Sequence, residues 1–265
     1  MLRSPAVNDQ AGARIAAVRP SAPFRLPVLV ALAAVAAASL GPLGTRAQVW
    51  GFGLGSAIFY AAPWLGLGAA LLAIVAVSRS GRLWRGLGVI LLAGLAAALP
   101  IRTWLAGRGA PPIHDVTTDL EHPPDYVAVA RLRTAGTNPA AHGGDAVARE
   151  QRLAYADLRP LVVQVPPERA LALAADTARA QGWTVLAQDL GFGSLGRLEA
   201  TDTTLLFGRV DDIVVRIVPH EVGSRIDVRS SSRDDAVDAG RNAQRIRRFL
   251  AFLAERARAE IPRNG

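Results

Sequence analysis

The chain has 265 residues, with 30 arginines and no lysine, 22 acids, four histidines and a formal net charge of +8. The absence of cysteine excludes disulfides, thiolate catalysis and cysteine-held zinc. The charge is uneven: residues 1–109 hold ten arginines against one acid, Asp9, whereas residues 110–265 hold twenty against twenty-one acids. The second part therefore lacks the basic field that nucleic acid requires, and no nucleic-acid partner is expected.

Residues 1–25 form a basic tail carrying Arg3, Arg14, Arg19 and Arg25, which the arginine bias places in the cytoplasm. Three apolar stretches follow, at 26–43, 49–78 and 83–105, the last reaching full length by extending Arg85 and Arg102 toward water. A helix needs about 20 such residues to cross the hydrocarbon core, so three transmembrane helices are expected, with the lipid bilayer as partner. Trp50, Trp84 and Trp104 stand at their ends, where an indole can be half wet. No Asp, Glu, Lys or His lies inside the spans, so they carry none of the groups of an ion pathway and their role reads as anchoring. Gly51 and Gly55, then Ala62, Gly66 and Ala70, repeat small residues every four positions, a spacing that lets helix backbones approach.

The loop between the second and third spans carries Arg79, Arg82 and Arg85, against Arg46 alone in the first loop. That asymmetry places the loop with the tail in the cytoplasm and the C-terminal part outside, with Arg102 and Arg108 running against the trend. A bacterial inner membrane is the expected location. If the first span were cleaved as a signal peptide, two spans would remain and the sidedness would be unchanged.

Residues 106–112 are a linker stiffened by Pro111 and Pro112, and 113–262 form an extramembrane domain. Its first part, to 160, is polar and turn-rich and is expected to wrap the surface. A strand at 161–165 precedes a helix that starts at Pro167 and stops before Gly182. Strands are expected at 183–189, 197–207, 212–218 and 225–231, then a helix at 237–259 with Ala243, Ile246, Leu250, Leu253 and Ala257 on one stripe. Leu198 and Ala200, then Ile213, Val215 and Ile217, then Ile226 and Val228 share one strand face. Glu199, Thr201, Asp212, Arg216, Arg225, Asp227 and Arg229 share the other. The fold class is α+β, an antiparallel sheet with both helices on its apolar face.

Gly191, Phe192, Gly193, Ser194, Leu195 and Gly196 spell a dinucleotide-binding glycine pattern, but a strand follows where the chemistry needs a helix N-terminus, so a hairpin turn is expected. No cofactor is expected. His114, Asp115, Asp119, Glu121 and His122 have the composition of a hard-metal site, yet they lie in an extended segment, and no metal is assigned. There is no nucleophile-elbow motif for a serine hydrolase.

The densest polar pattern runs through Asp211, Asp212, Arg216, Arg225, Asp227, Arg229, Ser230, Ser232, Arg233, Asp238, Gly240, Asn242, Arg245 and Ile246. Together with 112–119 and Gln151, Tyr155, Asp157, Leu158 and Pro160, it resembles the domain-of-unknown-function family numbered 1499 over roughly 113–255. Asp235 and Val237 stand where that family's pattern has glycine and serine. The resemblance brings no established reaction.

Two readings fit the charged set. In one, Asp212, Arg216, Asp227 and Arg229 are cross-strand pairs on a solvated face, and Asp238 serves the last helix N-terminus. In the other, Arg216, Arg229, Arg233 and Arg245 converge on an anionic ligand, oriented by Asp227 and Asn242, with His114, Asp115, Asp119, Asp211, Asp212 and Asp238 completing the candidate binding set. The leading expectation is a non-enzymatic envelope protein that binds a partner protein or an anionic envelope component. The alternative is a hydrolase or transferase using Asp211 or Asp212 with His114 or Asp115.

Overall fold

The computed structural model describes residues 23–134, 137–192, 195–234 and 237–260. The tail arginines Arg3, Arg14 and Arg19, the turn residues Gly193 and Ser194, and Asp235 lie outside the described residues.

Three helices, α1 (Arg25–Arg46), α2 (Phe52–Ser80) and α3 (Leu83–Gly107), are long and apolar enough to cross a membrane. At about 1.5 Å per residue even α1 exceeds the roughly 30 Å hydrocarbon core. Their packing inverts that of a water-soluble bundle. The buried seams are small, with Ala31, Ala34 and Gly41 meeting Gly55, Ala62, Ala69 and Ala73, and then Gly86, Ala93 and Ala96. The large side chains Leu29, Leu32, Leu67, Leu71, Leu91 and Leu95 face outward. Small residues bring backbones close where no hydrophobic difference between lipid and protein drives association. A Cβ on Gly55 would strike Thr45 and the Gly41 carbonyl, and one on Gly66 would press on the Ala93 carbonyl, whereas Gly51 faces open space. Gly55, Ala62 and Gly66 of the small-residue repeat therefore serve packing within the chain, and Gly51 does not.

The domain holds β1 (Asp115–Thr117), a 3-10 turn (Val129–Leu132), α4 (Gly144–Ala154), β2 (Leu161–Val163), α5 (Pro167–Ala180), β3 (Thr184–Leu190), β4 (Gly196–Thr203), β5 (Val210–His220), β6 (Gly223–Ser232) and α6 (Arg241–Ala259). All pairings are antiparallel, in the order β1-β6-β5-β4-β3, and β2 joins β6 at the end opposite to β1. α5 and α6 cover the face of Leu198, Ala200, Ile213, Val215, Ile217, Ile226 and Val228, with Trp183 stacked on Phe249 at 4.9 Å. At the β5–β6 turn Gly223 adopts φ 144°, and a Cβ there would strike the Val163 carbonyl of β2.

Three sequence expectations are corrected. The segment before 160 is not simply irregular: it supplies β1 and α4, and the Gln151 side-chain amide pairs with the Thr117 backbone on the outer edge of β1. The strand expected to reach 207 ends at Thr203, because Thr204 and the next residues turn away to meet the helices. There Arg46 donates to the Thr204 and Leu205 carbonyls at 3.0 and 2.7 Å, and the Phe207 ring meets Phe52 and Phe59 edge-on at 5.1 and 5.4 Å. The largest correction is that most of the charged sheet face is not solvated. Asp115, Glu199, Asp212, Asp227 and Arg229 are all buried, because a cover formed by residues 119–134 and 137–140 lies across them.

Candidate functional site

Strand geometry divides the candidate residues before any chemistry is considered. Neighbouring residues on a strand point to opposite faces, so Asp211 and Asp212 cannot meet. Asp211 joins the helix-covered face and Asp212 the face under the cover.

On the covered face, Arg229 is 0% exposed and grips Asp115 through two parallel bonds of 2.9 and 2.7 Å. Its other donors reach the Pro124 and Ala140 carbonyls of the cover, and its plane lies 4.6 Å from the Tyr126 ring. Burial works against the Arg229 charge, but the hydrogen bonds and charge of Asp115 outweigh it and hold the guanidinium above its ordinary range. Tyr126 donates its hydroxyl to the Asp212 carbonyl and accepts from Ser231, and burial drives its ionisation well above the usual range. Asp212 receives Arg133 at 2.9 Å and Arg233 at 2.6 Å. Glu199 accepts the Val127 and Val129 amides at 2.9 Å each, so a buried carboxylate pins the cover directly to β4.

Nearer the rim, Arg216 and Arg225 each bridge Asp119 and Asp227 at 2.8–3.0 Å. Asp119 also accepts the Glu121 and His122 amides. Burial opposes its charge, but the His122 amide, then Arg225 and Arg216, hold its carboxyl below the usual range.

On the helix face, Arg245 binds Asp211 at 2.6 Å and Asp202 at 2.8 Å, and touches Asn242 and Ser230. Burial opposes the Asp211 charge, but Arg245 and then Arg241 win, and its pKa is lowered. Asp238 accepts the Gly240 and Asn242 amides at 2.8 Å each and so caps α6 as expected, although burial raises its pKa. Asn242 in turn donates to the His114 carbonyl, which also accepts the Ser232 amide, so His114 joins the network through its backbone.

The structure thus brings together Asp115 with Arg229, Asp212 with Arg233, and Asp119 with Arg216 and Asp227 on one face. It brings Asp211, Asp238, Asn242 and Arg245 together on the other, and does not unite the two sets. The metal-like run disperses, since Asp115 turns to Arg229, Asp119 to Arg216 and Arg225, and Glu121 to Arg152. No group of three possible metal ligands occurs among the described residues.

Sequence reasoning missed Tyr126, Arg133, Glu199, Asp202 and Arg225 as members of these clusters. Arg225 and Glu199 had a signal, being on the charged strand face, but Tyr126 and Arg133 meet partners about eighty residues away and had none. Beside the rim opens a cleft of about 390 Å³ whose lining includes Asp119, Glu121, Arg152, Tyr155, Arg159 and Arg225. Arg152 pairs with Glu121 at 2.7 Å, while Arg159 is exposed and has no ion-pair partner among the described residues.

The sequence profile of the family described as "Protein of unknown function (DUF1499)" matches residues 115–253, and the chain belongs to that family. No curated protein matches. Among solved structures, the X-ray crystal structure of Protein CV1439 from Chromobacterium violaceum is similar at 14% identity, covering 37% of this chain and 94% of that one with a TM-score of 0.24. At that score the likeness carries no argument.

Proposed function

We propose that this member of the DUF1499 family is a membrane-anchored envelope protein of a bacterial inner membrane, whose domain sits on the extracytoplasmic side and binds an anionic envelope component or an acidic partner protein. Two features support the sidedness. The domain docks at the Arg46 end of the three helices, and Arg25, Arg79, Arg82 and Arg85 gather at the opposite end, the one expected to face the cytoplasm.

The observation that carries the binding reading is the cleft at Arg152, Arg159 and Arg225. Arg159 stands there exposed and without an ion-pair partner among the described residues, whereas the acids of the neighbouring network are already held by arginine. Guanidinium forks match carboxylate and phosphate oxygens, which names the ligand class. The hydrolase or transferase alternative has less support. Asp115, Asp211 and Asp212 are buried and each is held by arginine, Asp211 on the opposite face from Asp115 and Asp212, whereas proton transfer needs its groups free and within reach of one substrate.

The test uses the full chain in mild detergent, titrated with fluorescent polyglutamate and, separately, with inorganic polyphosphate. The expected result is saturable, salt-sensitive binding of at least one probe, weakened about tenfold or more in Arg159→Ala combined with Arg152→Ala. Binding that is indifferent to those substitutions would refute this cleft as the site.

A further inference from the structure

The end of the helices remote from the domain carries a second basic cleft. The first turn of α1 supplies Arg25 and Leu26, the last turns of α2 supply Leu72, Val75 and Arg79, and the α2–α3 connection supplies Arg82, around a space of about 870 Å³. Arg25 and the neighbouring Arg79 and Arg82 come from two separate places in the chain yet line one opening. They are exposed, and no ion pair is made by any of them among the described residues. None can be neutralised locally, because the sequence contains no acid between Asp9 and Asp115. Loop arginines that merely set topology need not share a cleft; Arg85, three residues beyond Arg82, is also exposed and does not line this one.

We propose that this cleft is a binding site for an anionic phospholipid. It rests on the membrane anchoring proposed above. The headgroup phosphate sits among Arg25, Arg79 and Arg82, where bidentate guanidinium contacts favour it, and an acyl chain lies along Leu26, Leu72 and Val75. The apolar wall selects a lipid over a free anion, and the missing acids select an anionic over a zwitterionic headgroup.

The test reconstitutes the full chain into nanodiscs of phosphatidylcholine with increasing phosphatidylglycerol and counts retained lipids by native mass spectrometry. The wild-type chain should retain phosphatidylglycerol preferentially. Arg25→Gln, Arg79→Gln and Arg82→Gln together should erode that preference by about fivefold per charge, while Arg85→Gln leaves it intact. Equal loss from Arg85→Gln, or no preference in the wild type, overturns the site. Displacement of the lipid by inorganic phosphate overturns the lipid assignment in favour of a free anion. If the triple variant fails to fold, Arg25→Gln and Arg79→Gln are measured singly against Arg85→Gln with the same criteria. Failure to enter nanodiscs of either composition instead refutes the anchoring, which separates the two proposals.

Discussion

Replacing Arg229 with alanine leaves the buried Asp115 carboxylate with no ion-pair partner among the described residues, and frees the Pro124 and Ala140 carbonyls of their donor. Removing one partner of a buried ion pair costs about 3–5 kcal/mol, because the stranded charge keeps its desolvation penalty. The two carbonyl bonds and the stacking on Tyr126 belong to the same unit, so their energies do not simply add. Against a domain stability of about 5–15 kcal/mol, the loss is severe. Arg152→Ala is the internal control, since Arg152 and Glu121 are both largely solvent-exposed and such a pair contributes at most about 1 kcal/mol. Hydrogen exchange at the β6 amides of the detergent-solubilised chain reads the domain separately from the apolar helices. Asp115→Ala with Arg229→Met should recover part of the loss, since no charge is then left buried. If Arg229→Ala costs no more than Arg152→Ala, the argument for a sealed ionic layer fails.

Glu199→Gln weakens the acceptor of the Val127 and Val129 amides, so limited proteolysis should cut between 119 and 140 faster while β5 and β6 stay protected. The lowered carboxyls of Asp119 and Asp211 add stability that is present above the unfolded value of about 3.9 and lost as pH falls through their folded values. Asp238, raised by burial, works in the opposite sense and blunts the fall. Unfolding midpoints should therefore drop below about pH 4, and Asp119→Asn should flatten that limb; an unaltered limb would mean Asp119 is not linked to folding. In the apolar helices, Gly55→Ala should lower the melting temperature in detergent, with an overpacking cost of about 1–3 kcal/mol, while Gly51→Ala should be tolerated.

What could be read from sequence followed periodicity. Ile213, Val215 and Ile217 alternate because that face packs on α5 and α6, and the three apolar helices declare themselves by length. The strand period also contained an unused argument: adjacent acids on a strand, Asp211 and Asp212, point apart and cannot share a substrate. Other features were hidden by local ambiguity. β1 is three residues long with polar Asp115 and Thr117 buried in it, and α4 buries only Ala148 and Gln151, too little for an apolar stripe. Leu205, Leu206 and Phe207 look like the end of a strand but belong to the turn that docks on the helices. Burial of the charged face could not be seen locally, because alternation tells which residues share a face and not what covers it.

That cover changes what the candidate residues can do. On its face Arg133, Arg216, Arg225, Arg229 and Arg233 meet Asp115, Asp119, Asp212 and Asp227, each carboxylate holding at least one guanidinium. An anion entering among them would have to displace a carboxylate, exchanging one desolvated ion pair for another without net gain and leaving the displaced acid buried. The buried layer therefore suits fixing the cover in place, and the cover in turn builds the wall of the neighbouring cleft through Asp119 and Glu121. The binding proposed above therefore falls to the rim, where Arg159 keeps its charge available to solvent. The two roles separate experimentally: substitutions at Asp115 or Arg229 should change stability and proteolysis first, whereas Arg159→Ala should change anion binding and leave the unfolding midpoint within about 0.5 kcal/mol of the wild type.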